Sequence, residues 1–161
     1  MKSLLVLAIL AAAGWFVWKH FSSDGPAPVI ENPVYGEIRV TTSVENREIE
    51  MALFVRAAGE LDCRTRALVS WQGTMKSCPS CELREPQCHD ALPARYARLF
   101  NDTPIPSTYL SATAGNSGER DGRLVVFGLT QAEGMQVCEL LRQQIAEKYT
   151  GTLRCIPASE P

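Results

Sequence analysis

The chain passes twice through one pattern, and that doubling limits the folds open to it. Ile38, Val40, Thr42 and Val44 recur at every second residue, and so do Ile49, Met51, Leu53 and Val55. Such alternation marks strands with one buried face. Glu45-Asn46-Arg47 between them makes the pair a hairpin. Gly59 breaks the pattern, and a helical stretch follows from Glu60 to about Lys76. Its spacing puts Leu61, Leu68, Trp71 and Met75 on one face, expected to be the buried one. A third strand around Cys81–Arg84 closes the first pass.

The second pass repeats the order. Thr108–Ala114 alternates, Asp121-Gly122 reads as a turn, and Leu124–Leu129 reads as a buried strand. Thr130-Gln131-Ala132-Glu133 has the capping-box form, a hydroxyl followed three residues later by Glu. The helix it starts runs to about Tyr149, with Cys138, Leu141 and Ile145 on one stripe. Gly151 ends that helix, and Thr152–Ile156 is the last strand. Between the passes, Pro93 opens a short helix, PARYARLF, followed by the connector Asn101–Pro106.

The cysteines follow the doubling. Cys63 and Cys138 each sit early in a helix, and Cys81 and Cys155 each sit in the strand that follows. Cys138 lies roughly 16 Å before its helix ends, and Cys155 lies roughly 13 Å along the returning strand. A strand running back beneath its helix brings the two together. The same reasoning pairs Cys63 with Cys81 and leaves Cys78 for Cys88.

An even cysteine count fits an oxidising compartment, and the N-terminus supplies a route there. Residues 3–18, SLLVLAILAAAGWFVW, contain no charge and end in a cluster of aromatics. Phe21 prolongs the run toward the roughly 20 apolar residues that span a bilayer, and Trp15, Phe16 and Trp18 suit its interface. Cleavage after Ala11-Ala12-Ala13 is the competing reading, but it would leave four large apolar residues on a free end. The organisation expected is an anchor over 1–21, a proline-rich linker over 22–33, a domain over 34–157 and a tail over 158–161. The address expected is the bacterial inner membrane, single-pass, with the C-terminal domain in the periplasm.

Sixteen basic residues stand against 18 acidic ones. Two of the cations, Lys2 and Lys19, flank the apolar run, so the remainder is net acidic and offers no footprint for nucleic acid. No catalytic, cofactor or metal residue is assigned. Cys78-Pro-Ser-Cys81 has redox spacing, but it follows a helix instead of opening one, where the dipole would activate a thiol. A zinc site from Cys78, Cys81, Cys88 and His89 suffers from the adjacency of its last two ligands. His89 is the domain's one histidine, and no nucleophile motif accompanies it. Tyr96, Arg98, Tyr109 and Arg120 form a candidate binding surface of aromatics and arginines. The polar tip Asn116–Gly122 reads as a solvated turn, with a binding loop as the alternative.

From Glu48 to Ile156 the order strand–helix–strand–strand–helix–strand resembles the sporulation-related repeat domains of bacterial cell-division proteins. Phe127-Gly128-Leu129-Thr130-Gln131-Ala132 looks like that family's strand-to-helix entry. The resemblance implies a ferredoxin-like βαββαβ fold and binding to peptidoglycan. It leaves over the first strand, the insert at 87–106 and all six cysteines, and it carries no binding residues across. The fold class expected is α+β: one transmembrane helix, then a ferredoxin-like or duplicated ββαβ domain with an antiparallel sheet and disulfides. The function expected is a non-catalytic, anchored binding module for peptidoglycan or an envelope protein. The alternatives are an accessory subunit without its own ligand and a thiol–disulfide redox protein using Cys78 and Cys81.

Overall fold

The structure is a computed structural model that describes residues 25–44, 46–78 and 80–159. It is α+β, built on one antiparallel sheet. Strands β1 (Val34–Val44) and β2 (Arg47–Ala57) form the first hairpin, and helix α1 (Glu60–Ser77) follows. The chain returns through two short strands, β3 (Glu82–Leu83) and β4 (Gln87–His89). After an irregular segment come β5 (Tyr109–Thr113), β6 (Gly122–Phe127), helix α2 (Gln131–Ala146) and β7 (Thr152–Ile156). The sheet order is β3-β1-β2-β6-β5-β7, with β4 also paired to β1. The halves therefore mirror each other about the β2–β6 seam, where Leu53 lies opposite Leu124. The strand that the family resemblance leaves over, β1, sits between β2 and β3. It is central to its half.

One face of the sheet carries both helices. Ile38, Val40, Ile49, Met51, Leu110, Ala112 and Val126 form a core with Val137, Cys138, Leu141 and Ile145 of α2. The stripe read from the sequence is thus the buried face of α2. Its capping box is present, with Thr130 accepting from the Glu133 N–H and the Glu133 carboxylate accepting from the Thr130 N–H. Arg47 reaches Glu133 from the start of β2 at 2.8 Å. That hydrogen bond, with those from Thr130, holds the Glu133 carboxyl down at about 2.

Helix α1 packs differently from expectation. Among its described side chains the buried ones are Cys63, Ala67 and Ser70, whereas Leu61 is 80 % and Leu68 50 % exposed. Trp71 and Met75, the rest of the expected stripe, lie outside the described side chains. The cause is the disulfide. Cys63 is tied to Cys88, whose strand pairs with β1 at Gly36, which turns the small-residue face of α1 inward and its leucines outward. A small apolar gap of about 40 Å³ remains there, lined by Gly36, Ile38, Val55, Cys63 and Ala67.

The expected pairings Cys63–Cys81 and Cys78–Cys88 are therefore corrected. The bonds are Cys63–Cys88, Cys78–Cys81 and Cys138–Cys155, with Cα atoms 6.2, 5.4 and 5.9 Å apart. The third matches the sequence reading. In the first half the returning strand is broken in two. β3 pairs at Val40 and Thr41, beside the far end of α1, and β4 pairs at Tyr35–Glu37, beside its start. Cys88 lies opposite Gly36. A Cβ on Gly36 would stand 3.3 Å from the Cys63 sulfur, so the glycine leaves room for the bridge. Cys81 is left next to the helix end, where its N–H donates to the Cys78 carbonyl at 3.1 Å.

The other sheet face is covered by the insert. The expected helix from Pro93 is two 3-10 turns, Ala94–Tyr96 and Leu99–Asn101. They lay Tyr96, Leu99 and Phe100, with Ile105, over Ala52, Phe54, Tyr109 and Val125. The segment is a third layer that gives the sheet a second core.

Residues 25–33, expected as a linker, lie against the domain. Pro26 bridges Asn116, and the Ser117 N–H donates to the Gly25 carbonyl at 2.8 Å. The β5–β6 tip is also held, and is neither a solvated turn nor an open loop. Gly118 and Glu119 are buried. The Glu119 carboxylate accepts from the N–H groups of Gly115 and Thr150, both at 2.7 Å. Arg120 meets Asp62 in the first turn of α1 at 3.1 Å. Burial alone would raise the Asp62 pKa, but hydrogen bonds from the Ala58 N–H, Arg66 and Arg120 outweigh it and hold the carboxyl below its usual value. Asp121, expected within the turn, accepts from the Ala114 N–H and so closes the hairpin.

Gly128 leads from β6 toward α2 with φ +83°, and a Cβ there would stand 2.2 Å from the Glu48 carbonyl oxygen. Gly128→Ala is expected to cost at least about 1–3 kcal/mol from backbone strain alone. Gly59→Ala, where an added Cβ meets nothing within 4 Å, is expected to be neutral or slightly stabilising. Thermal unfolding of the two variants checks the contrast.

Candidate functional site

The anchor expected over 1–21 lies outside the described residues. Among the described residues no helix is long and apolar enough to cross a membrane. The four residues expected to share a binding surface do not do so. Tyr96 and Tyr109 are both buried in the insert-covered core. The Tyr109 hydroxyl donates to the Thr103 carbonyl at 2.9 Å, and burial pushes its pKa up to about 12. Arg98 is exposed on the insert. Arg120 is engaged with Asp62 on the α1 side. Aromatic residues beside arginines read as exposed in one dimension; here Tyr96 holds the irregular segment down on the sheet, where Tyr109 opens β5.

The structure instead brings together residues from three places. The β1–β4 register sets His89 opposite Tyr35. Tyr35 packs against Phe100 of the insert, with ring centroids 5.4 Å apart. Around Tyr35 opens a groove of about 480 Å³, lined by Glu31, Asn32 and Pro33 of the N-terminal segment, Asp90, Leu92 and Ala97. Its size falls within the roughly 300–1,000 Å³ of small-molecule sites. It has an aromatic and aliphatic wall, with two carboxylates and an amide at its rim. Glu31, Asn32 and Asp90 are exposed, and Tyr35 and Leu92 are half-buried.

Further along β1 from Tyr35 lies an ionic cluster shared with β2 and β4. Glu37 and Arg39 are buried. Arg39 pairs with Glu37 and Glu50, and it donates to the Tyr96 hydroxyl at 3.1 Å. Its guanidinium carbon is 5.5 Å from the Tyr96 ring centre and 5.9 Å from that of Phe54. Burial disfavours the charge, but the bonds to Tyr96 and Glu37 outweigh it and keep Arg39 more basic than usual. The His89 ring nitrogen Nε2 lies 3.0 Å from Glu37. A histidine oriented by a carboxylate is the arrangement of a general base. No hydroxyl or free thiol among the described residues is hydrogen-bonded to it, since its one such contact is Glu37 and every cysteine is bridged. The cluster can therefore fix Tyr96 and β4 in place.

The residues of the zinc reading are separated in chemistry. Cys78 and Cys81 are bonded to each other, and Cys88 to Cys63. Among the described residues no group of three metal-binding side chains converges.

The groove residues escaped the sequence reading because Glu31 and Ala97 stand 66 positions apart. Only the pairing of β4 with the start of β1 joins them, and β4 is three residues long. Compared with family models, curated proteins and solved structures, the chain matches none.

Proposed function

We propose that the chain is a non-catalytic binding module, held by its N-terminal segment at the periplasmic face of a bacterial inner membrane, and that it engages ligand in the groove beside Tyr35. The observation that carries this reading is the groove's composition: an aromatic wall with acidic and amide groups at its rim. Glycans suit such a lining, since sugar faces are apolar and sugar edges donate hydrogen bonds. The ligand proposed is peptidoglycan, and an envelope protein is the alternative. The fold underneath is best described as a duplicated ββαβ unit.

The test is co-sedimentation of the detergent-solubilised full chain with purified glycan strands. Binding is expected, and Asp90→Asn should weaken it about tenfold, the scale of one hydrogen bond to a charged group. Absence of sedimentation would overturn the glycan reading. Crosslinking in native membranes then decides between a protein ligand and an accessory subunit that contacts its neighbours elsewhere.

A second reading, thiol–disulfide exchange, draws on the bond between Cys78 and Cys81 within the C-x-x-C motif. Against it, Cys78 is only 2 % exposed, and it follows the C-terminal end of α1, where the helix dipole disfavours a thiolate. Loss of a cellular oxidation phenotype in Cys78→Ala, Cys81→Ala, with the fold intact, would favour this reading over the first.

A further inference from the structure

We infer that one end of the domain, formed by residues 25–30, the β5–β6 tip and the first turn of α1, rests directly on the lipid bilayer. The inference deepens the proposed function and rests on its anchor. Three observations support it.

The first is where the described chain begins. Gly25 is bonded to Ser117, and Pro26 bridges Asn116. The apolar run ends at Trp18, leaving residues 19–24 between it and that attachment. Six residues reach no more than about 22 Å even when fully extended. The tip is therefore tied close to the membrane surface, and a domain on a long free tether is ruled out.

The second is what surrounds the tip. Among the described residues the four exposed large apolar side chains are Val29, Leu61, Leu68 and Leu140. The two most exposed, Val29 at 91 % and Leu61 at 80 %, flank this tip. Val29 follows Ala27 and Pro28, which line a crevice with Glu119, Arg120 and Asp121. Leu61 precedes Asp62, the partner of Arg120. Apolar side chains at an attachment point fit the interfacial zone of a bilayer, where burial is favourable.

The third is rigidity. Asp62 holds Arg66 at 2.6 Å and Arg120 at 3.1 Å, and Arg66 donates to the Gly118 carbonyl at 3.0 Å. The first turn of α1, which carries Leu61, is thus braced against the same tip that holds residues 25 and 26. Arg64 on the same helical turn is paired with Glu60 at 2.6 Å, so the contact expected here is apolar, through Val29 and Leu61. Contact here would leave the C-x-x-C end of α1 facing away from the membrane.

The test uses the full chain reconstituted in phosphatidylethanolamine/phosphatidylglycerol vesicles that contain a phospholipid with a photoactivatable diazirine acyl chain. After irradiation, peptides are mapped by mass spectrometry. Lipid adducts are expected on residues 3–18 and on the peptides carrying Val29 and Leu61. These should be several-fold more abundant than on the peptide carrying Leu140, an exposed leucine on α2 that serves as control. Adducts on 3–18 alone, or equal labelling of Leu140, would overturn the docking and leave the anchor standing. No adduct on 3–18 would overturn the anchor and the docking together.

Discussion

Replacing Arg123 by methionine is expected to destabilise the domain by about 3–5 kcal/mol, the cost of removing one partner from a buried ion pair. Arg123 is buried on β6 at the seam between the halves. It meets Asp102 at 3.0 Å and donates to the carbonyls of Leu99, Ala112 and Gly122 at 3.0, 2.9 and 2.8 Å. Burial lowers its pKa despite the nearby Asp102 and Asp121. Methionine keeps much of the length, but strands a carboxylate and three acceptors. Asp102 retains Arg154 and Ser111, so its charge stays partly compensated. Asp102→Asn in the Arg123→Met background should cost less than Asp102→Asn alone, because groups that share a network do not act additively. Urea unfolding of the four proteins measures this. A loss of only about 1 kcal/mol for Arg123→Met, the size of an exposed pair, would mean that the guanidinium does not bolt the insert to the sheet.

The second large effect separates the two disulfides of the first half. The Cys63–Cys88 bond spans 25 residues and the Cys78–Cys81 bond spans 3. The chain-entropy relation gives about 3.5 kcal/mol for the longer loop and about 1.6 kcal/mol for the shorter. Cys63→Ala, Cys88→Ala should therefore unfold at markedly lower denaturant than Cys78→Ala, Cys81→Ala. Loss of the first bridge also frees β4, three residues long, from α1. Non-reducing peptide mapping checks the assignment itself. A Cys63–Cys81 peptide, or the opposite order of stabilities, would refute the placement of β3 and β4 at opposite ends of α1.

Much of the sheet and α2 was legible in the sequence because each element keeps one period toward the core that the helices cover. Leu141 and Ile145 follow helical spacing and are buried, and Ile38, Val40, Ile49 and Met51 alternate and are buried. Helix α1 misled for a physical reason. Its leucines follow helical spacing as well, but Cys63 decides which side faces inward, and its partner could not be known without β4. Strands β3 and β4 are too short to show any period. The insert misled because tyrosines near arginines and prolines suggest a wet surface. Tyr96 and Tyr109 instead find hydrogen-bond partners inside, the first in Arg39 and the second in the Thr103 carbonyl. The groove was invisible for a different reason: it belongs to no single segment.

The mirror arrangement of the halves has a consequence for assembly. β2 and β6 are each other's counterparts, so two chains exchanging halves would rebuild the same seam twice, the usual route to a swapped dimer. The insert opposes it. Tyr96, Leu99 and Phe100 lie over Ala52 and Phe54 of one half and over Val125 and Tyr109 of the other. The segment that would have to open as a hinge is thus packed across both halves, which biases each chain toward closing on itself.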